Sequence, residues 1–96
     1  MELDDERKTI FLNDISQNLK KKANVFPTNT VEELKRVIEK EFNYEKNYLN
    51  GYSPRMINKG HKVGTLLDDD KKSLAEFGIK NMATITFNKL KNKGGK

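Results

Sequence analysis

The residue types that could do chemistry are few in this chain, and their spacing argues against catalysis. His61 is its single histidine and there is no cysteine, so neither a thiolate nucleophile nor a paired histidine base is available. A lone histidine between Gly60 and Lys62 reads as a surface residue of a charged turn. Asp68-Asp69-Asp70 supplies three adjacent carboxylates, whereas a calcium loop alternates its oxygen ligands and closes on a glutamate at fixed distance. Those aspartates read as a solvated connection, not a metal site. Gly60 and Gly64 stand alone and build no phosphate cradle. The expectation is a chain without enzymatic activity, metal or cofactor, whose work is binding.

Composition narrows the setting. The 96 residues are enough for one domain with one small core, and 34% of them are hydrophobic against 34% charged. Apolar runs are only two or three residues long, so the sequence holds no membrane span, and the acidic start with Glu2, Asp4, Asp5 and Glu6 is unlike a secretory signal. The absence of cysteine is compatible with a reducing, intracellular home, cytoplasmic or nuclear. A net charge of +5 raises the question of nucleic acid. The lysines, however, gather at Lys20-Lys21-Lys22 and beyond Asn88, away from the acidic stretches, a pattern that fits solvated turns and tails at least as well as a groove, so nucleic acid is not the expected partner.

The elements that must position any binding residues follow from periodicity. Residues 1–8 are charged and aperiodic and read as a flexible leader. Thr9 to Leu12 forms a strand with Ile10 and Leu12 on one face and Phe11 on the other. Asn13 to Asn18 has turn composition, and a returning strand from Leu19 to Phe26 turns Ala23 and Val25 inward. Thr30-Val31-Glu32-Glu33 is a capping box and starts a helix. Val31, Leu34, Val37, Ile38 and Phe42 make its apolar stripe, leaving Glu32, Lys35, Arg36, Glu39 and Lys40 to face water.

Residues 43–52, which contain all three tyrosines, either prolong that helix or loop over its end. If exposed, Tyr48, Leu49 and Tyr52 form a second candidate surface; otherwise they fold back over the core. Arg55 to Asn58 is a short strand before a Lys59-Gly60-His61-Lys62 turn. Leu74, Phe77 and Ile79 surround Gly78 in a helical turn ended by glycine. Ala83 to Phe87 is a last strand with Ile85 and Phe87 inward and Thr84 and Thr86 outward. Residues 91–96 hold only Lys, Asn and Gly and read as a flexible basic tail.

Hairpin, helix, strand, Lys-Gly turn, acidic loop, Ser73-Leu74 through Gly78-Ile79 and a Thr-alternating strand together resemble a ubiquitin-like domain, over roughly residues 9–90. The resemblance implies an α+β fold of the ubiquitin-like β-grasp type, with a mixed four- to five-stranded sheet packed on one helix, in a sequence diverged from ubiquitin. Relative to ubiquitin, residues 43–52 and the connection from Val63 to Leu74 are each enlarged.

It also implies a function and a place for it. Ubiquitin-like domains offer the outer face of their sheet to partners through a small apolar patch, and the matching positions are Phe11, Ile57, Gly60, His61, Thr86 and Asn88. Ile57 falls at the patch isoleucine and Asn88 at a patch valine. The expected role is a monomeric interaction domain, N-terminal in a larger protein, that docks it to the proteasome, a chaperone or another ubiquitin-pathway partner. Gly94-Gly95 is similar to the paired glycines through which ubiquitin-like modifiers are joined to lysines, although Lys96 follows the pair. The alternative is therefore a conjugatable modifier or sulfur carrier processed at that pair.

Overall fold

The structure, a computed structural model, describes residues 7–88. Most of the expected leader, and the basic tail with Gly94 and Gly95, lie outside the described residues. β1 (Lys8–Asp14) and β2 (Leu19–Val25) form the first hairpin, α1 (Val31–Glu41) crosses, and β3 (Arg55–Ile57), β4 (Thr65–Leu66) and β5 (Thr84–Phe87) complete the sheet. Strand order is β2-β1-β5-β3-β4. β1 and β5 run parallel at the centre, and the other pairings are antiparallel. A mixed five-stranded sheet packed on one helix is the β-grasp arrangement implied by the resemblance.

Alternation decides which face is core. Ile10 and Leu12 of β1, Ala23 and Val25 of β2, Met56 of β3 and Ile85 and Phe87 of β5 all point toward α1, which answers with Val31, Leu34 and Ile38. Each is nearly or wholly buried. Cutting Leu34 or Ile38 back to alanine would cost about 2–5 kcal/mol. β2 keeps only Ala23 and Val25 inward and exposes Lys20, Lys21 and Lys22. As an edge strand it gains from those charges, which discourage pairing with another chain.

The helix starts as its sequence dictates. Thr30 Oγ1 accepts from the Glu33 N–H at 3.2 Å, and the Glu33 carboxylate accepts from the Thr30 N–H at 2.9 Å. Two more first-turn donors are satisfied from the acidic connection: Val31 N–H donates to the Lys72 carbonyl at 3.0 Å and Glu32 N–H to the Asp70 carbonyl at 3.1 Å. The connection is therefore docked on the helix start by its backbone while the side chains of Asp68, Asp69 and Asp70 remain exposed. A 3₁₀ turn at Ala75–Phe77 ends on Gly78 at φ 83°, with Leu74 and Ile79 buried on either side.

The structure corrects the expected hydration of α1. Lys35 and Glu39 are buried, at 2% and 4% exposure, because the two enlarged connections fold over their flank of the helix. Lys35 Nζ pairs with Asp70 at 2.7 Å. The Glu39 carboxylate accepts the Asn47 N–H at 3.1 Å and the Leu49 N–H at 2.8 Å. Arg36 ties the same segment down, donating to the side-chain oxygens of Asn47 and Asn50. Its Nε lies 3.4 Å from Glu39 Oε1 without hydrogen-bond geometry, so that contact is an ion pair only.

Residues 43–52 do not prolong the helix, which ends at Glu41 with Phe42 as its cap and Asn43 at φ 59°. They fold back over the core. Leu49 is fully buried, and Tyr44, Tyr48 and Tyr52 pack against the core from outside. Phe42 stacks on Tyr44 and meets Phe87 edge-on, with ring centroids 5.5 and 5.4 Å apart. β1 also runs further than the turn composition suggested, through Asp14, whose carboxylate is buried and accepts from Ser16, Gln17 and the Tyr44 hydroxyl. Among the described residues, no helix is long and apolar enough to cross a membrane.

Candidate protein-interaction face

On the outer face of the sheet the strand register lines up four side chains. Phe11 pairs across to Lys22 on one side and Thr84 on the other, and Thr84 pairs with Ile57. Lys22, Phe11, Thr84 and Ile57 thus form one row across four strands, each displaced by one residue from an inward neighbour. Phe11, Thr84 and Ile57 are half-buried and Lys22 is exposed.

Two turns raise the rim at one end of that row. In Asn58–His61, the His61 N–H donates to the Asn58 carbonyl at 3.0 Å and Gly60 takes φ 86°, a value that strains any residue with a Cβ. In Lys80–Ala83, the Ala83 N–H donates to the Lys80 carbonyl at 3.2 Å and Met82 takes φ 66°. Asn58 fastens the two turns together: its Nδ2 donates to the Gly78 carbonyl at 3.0 Å and its Oδ1 accepts from the Lys80 N–H at 3.2 Å. The second turn is tied to β1, where Thr9 accepts from the Met82 N–H at 2.7 Å and donates its own N–H to Asn81 Oδ1 at 2.8 Å.

Row and rims enclose a shallow concavity of about 420 Å³ lined by Phe11, Lys20, Ile57, Asn58, Lys59, Gly60, His61, Met82 and Thr84. Its floor is apolar and its charged lining residues are Lys20 and Lys59, with His61 beside them. Of the six positions expected on the sheet face, Phe11, Ile57, Gly60 and His61 come together here. Thr86 lies one row away on the same face, between Asn13 and Arg55. Asn88 is exposed past the end of β5, its N–H donated to the Tyr52 hydroxyl at 2.7 Å.

Lys20, Asn58, Lys59, Met82 and Thr84 were not among the expected positions. Thr84 was legible as an outward residue of its strand; only the register brings it between Phe11 and Ile57. Met82 carried no such signal, because a methionine in the left-handed region is not readable from composition. Gly64 supports the floor from the side: a Cβ there would sit 2.5 Å from Arg55 Cγ and 3.0 Å from Ile57 Cγ1. Among the described residues, no group of three or more histidine, cysteine or acidic side chains is placed to hold a metal. Another concavity, of about 340 Å³ beside Asp68, Asp69 and Asp70, already contains the Lys35–Asp70 pair.

No protein-family model matches the chain, and no curated protein sequence is similar to it. Solved structures are. The ubiquitin-like domain of an Arabidopsis thaliana protein aligns at TM-score 0.66 and 23% identity, covering 94% of this chain and 85% of that one. The C-terminal ubiquitin-like domain of mouse tubulin-specific chaperone e aligns at TM-score 0.67 and 10% identity, covering 92% and 93%. The corresponding domain of Plasmodium falciparum Dsk2 aligns at TM-score 0.57 and 19% identity, covering 84% and 97%. The chain has the ubiquitin-like β-grasp fold, in a sequence far diverged from the domains that share it.

Proposed function

We propose that this domain is a non-enzymatic protein-interaction module that docks a larger intracellular protein onto a ubiquitin-pathway partner, at the proteasome or a chaperone, through the sheet face around Ile57. The observation that carries the reading is the half-buried row Phe11-Thr84-Ile57 on the sheet face opposite α1, floored by apolar atoms and open to solvent. Scattered exposed apolar residues are ordinary on any surface. A continuous row set inside a rim of two turns is the arrangement an interface uses for its anchor. Fold alone does not assign this role, since one fold hosts many functions. All three of these structural neighbours are, by description, domains of other proteins, which supports a docking role here.

Thr86 and Asn88 widen the face beyond the concavity, and a polar Asn88 makes the far end a weak contact. Losing the Ile57 or Phe11 side chain should weaken capture of purified proteasomal ubiquitin receptors by about 1–2 kcal/mol, or roughly five- to thirtyfold. Unchanged capture by Ile57→Ala and Phe11→Ala would remove this face from consideration. The modifier reading rests on Gly94-Gly95, outside the described residues. An immunoblot of source cells separates the two: one band far above 11.1 kDa supports docking, whereas a free band with a ladder that collapses when both glycines are mutated supports conjugation.

A further inference from the structure

Asn50 is followed by Gly51, and no other asparagine of the chain precedes a glycine. The pair forms the centre of a turn in which the Tyr52 N–H donates to the Leu49 carbonyl at 3.0 Å and Gly51 takes φ 77°. Both residues are exposed, and a Cβ on Gly51 would meet nothing within 4 Å, so the backbone there can be approached closely. Among the described residues, nothing accepts a hydrogen bond from the Gly51 N–H. The Asn50 carboxamide is held by Arg36, whose Nη2 donates to Asn50 Oδ1 at 2.6 Å while its Nη1 donates to Asn47. An electrophilic amide carbon is thus followed in the chain by an unshielded nitrogen, at the spacing that closes a five-membered ring.

We propose that Asn50 is a self-modification site, converted in the folded domain to aspartate and isoaspartate through a succinimide, and that the Arg36 hydrogen bond restrains the reaction. The Gly51 nitrogen gives its proton to hydroxide and attacks Asn50 Cγ. The new C–N bond closes the ring, the Cγ–Nδ2 bond breaks, and ammonia leaves with a proton from the water just formed. A second water opens the ring: at Cγ it gives aspartate, at the Asn50 main-chain carbonyl it gives isoaspartate, whose main chain gains a methylene. Aspartate offers Arg36 a carboxylate in place of an amide oxygen, a charge-assisted partner. Isoaspartate re-spaces the Leu49–Tyr52 turn and so displaces Tyr52, whose hydroxyl accepts the Asn88 N–H past the end of β5. The two products therefore act in opposite directions on how residues 43–52 are held, and the site shares no residue with the Phe11-Thr84-Ile57 row.

In the test, the 96-residue chain is incubated folded, and in parallel unfolded in urea, at mildly acidic and mildly alkaline pH. Peptide mass spectrometry locates the conversion, and enzymatic carboxyl methylation reads the isoaspartate. In the folded chain Asn50 should gain about one mass unit before any other asparagine, and faster at the alkaline pH, because the attacking nitrogen must lose its proton. Asn50→Gln keeps an amide for Arg36 but would have to close a larger ring, so the gain at that position should vanish. Arg36→Ala should speed the conversion about two- to tenfold, the factor for one ordinary hydrogen bond, while the Leu49 amide keeps its protection from exchange. The Asn88 amide resonance should shift in the isoaspartyl fraction and stay in place in Asn50→Asp.

Conversion of another asparagine first, conversion in urea alone, or equal conversion at the two pH values would overturn the site. An unaltered rate in Arg36→Ala, or a faster one that comes with lost protection at Leu49, would overturn the restraint by Arg36. An unshifted Asn88 amide in the isoaspartyl fraction would overturn the effect on the end of β5.

Discussion

Glu39 offers the most direct test of how the enlarged segment 43–52 is held. Its carboxylate is 4% exposed and accepts two backbone N–H groups, from Asn47 and Leu49. Glu39→Ala removes both acceptors. The Asn47 residue is exposed, so its N–H can turn to water and that loss lies at the lower end of the range for a hydrogen bond to a charged group. Leu49 is fully buried, and its N–H would be left without a partner unless the segment opens. Together the losses come to about 2–4 kcal/mol, or roughly 10–20 °C in melting temperature for a domain of this size.

Glu39→Gln keeps one acceptor oxygen but turns an amide NH₂ toward the other donor, so about half the loss should remain. Urea denaturation followed by circular dichroism gives the free energies, and hydrogen exchange at the Leu49 amide reports the site itself. That amide should exchange far faster in Glu39→Ala while the amides of β1 keep their protection. A change below about 0.5 kcal/mol, or unaltered protection at Leu49, would mean that the carboxylate does not hold the segment.

Thr30→Ala should cost about 1 kcal/mol in urea denaturation, because the Glu33 N–H loses its cap while the backbone bonds from the acidic connection persist. Tyr48 should contribute to the loss of stability at alkaline pH. Burial, and then the Asp14 carboxylate, raise its pKa above the ordinary 10.0, so the fold favours the neutral phenol. The stability this contributes is complete below the unfolded value and is lost as pH rises through the folded one. An ultraviolet titration should show a late-ionising component, and Tyr48→Phe should remove it and flatten the alkaline decline; an unchanged titration curve in Tyr48→Phe would contradict the assignment.

What was legible in the sequence was whatever is settled within a few neighbouring residues. The capping box at Thr30 and Glu33, the glycine that ends the Ala75–Phe77 turn and the in-out alternation of Ile10, Leu12, Ile85 and Phe87 are local facts, and each is found where it was expected. The burial of Asp14, Lys35 and Glu39 was not legible, because it depends on connections that pass over them and have no periodicity of their own. The site divided along the same line. Phe11, Ile57, Gly60 and His61 could be chosen one by one. That Ile57 stands opposite Thr84, with Thr86 opposite Arg55, is a matter of pairing between strands more than two dozen residues apart, and no local signal carries it.

β5 contributes to two separate regions of the domain along its own length. At its start, Met82 and Thr84 belong to the outer concavity; at its end, Phe87 packs with Phe42 and Tyr44, and Asn88 is fastened by Tyr52. The enlarged segment therefore adds buried aromatic surface at the end of β5 remote from the concavity, around Leu49 and Glu39. The strained turn at Met82 is kept where side-chain choice faces solvent. Stability gained at one end offsets conformational cost at the other, and neither depends on a shared side chain. It follows that Glu39 variants should lower the melting temperature while leaving receptor capture intact, and that Ile57→Ala should weaken capture while the Leu49 amide keeps its protection. This independence is what sites without common contacts produce, and side-chain changes around the concavity leave the Glu39 contacts untouched.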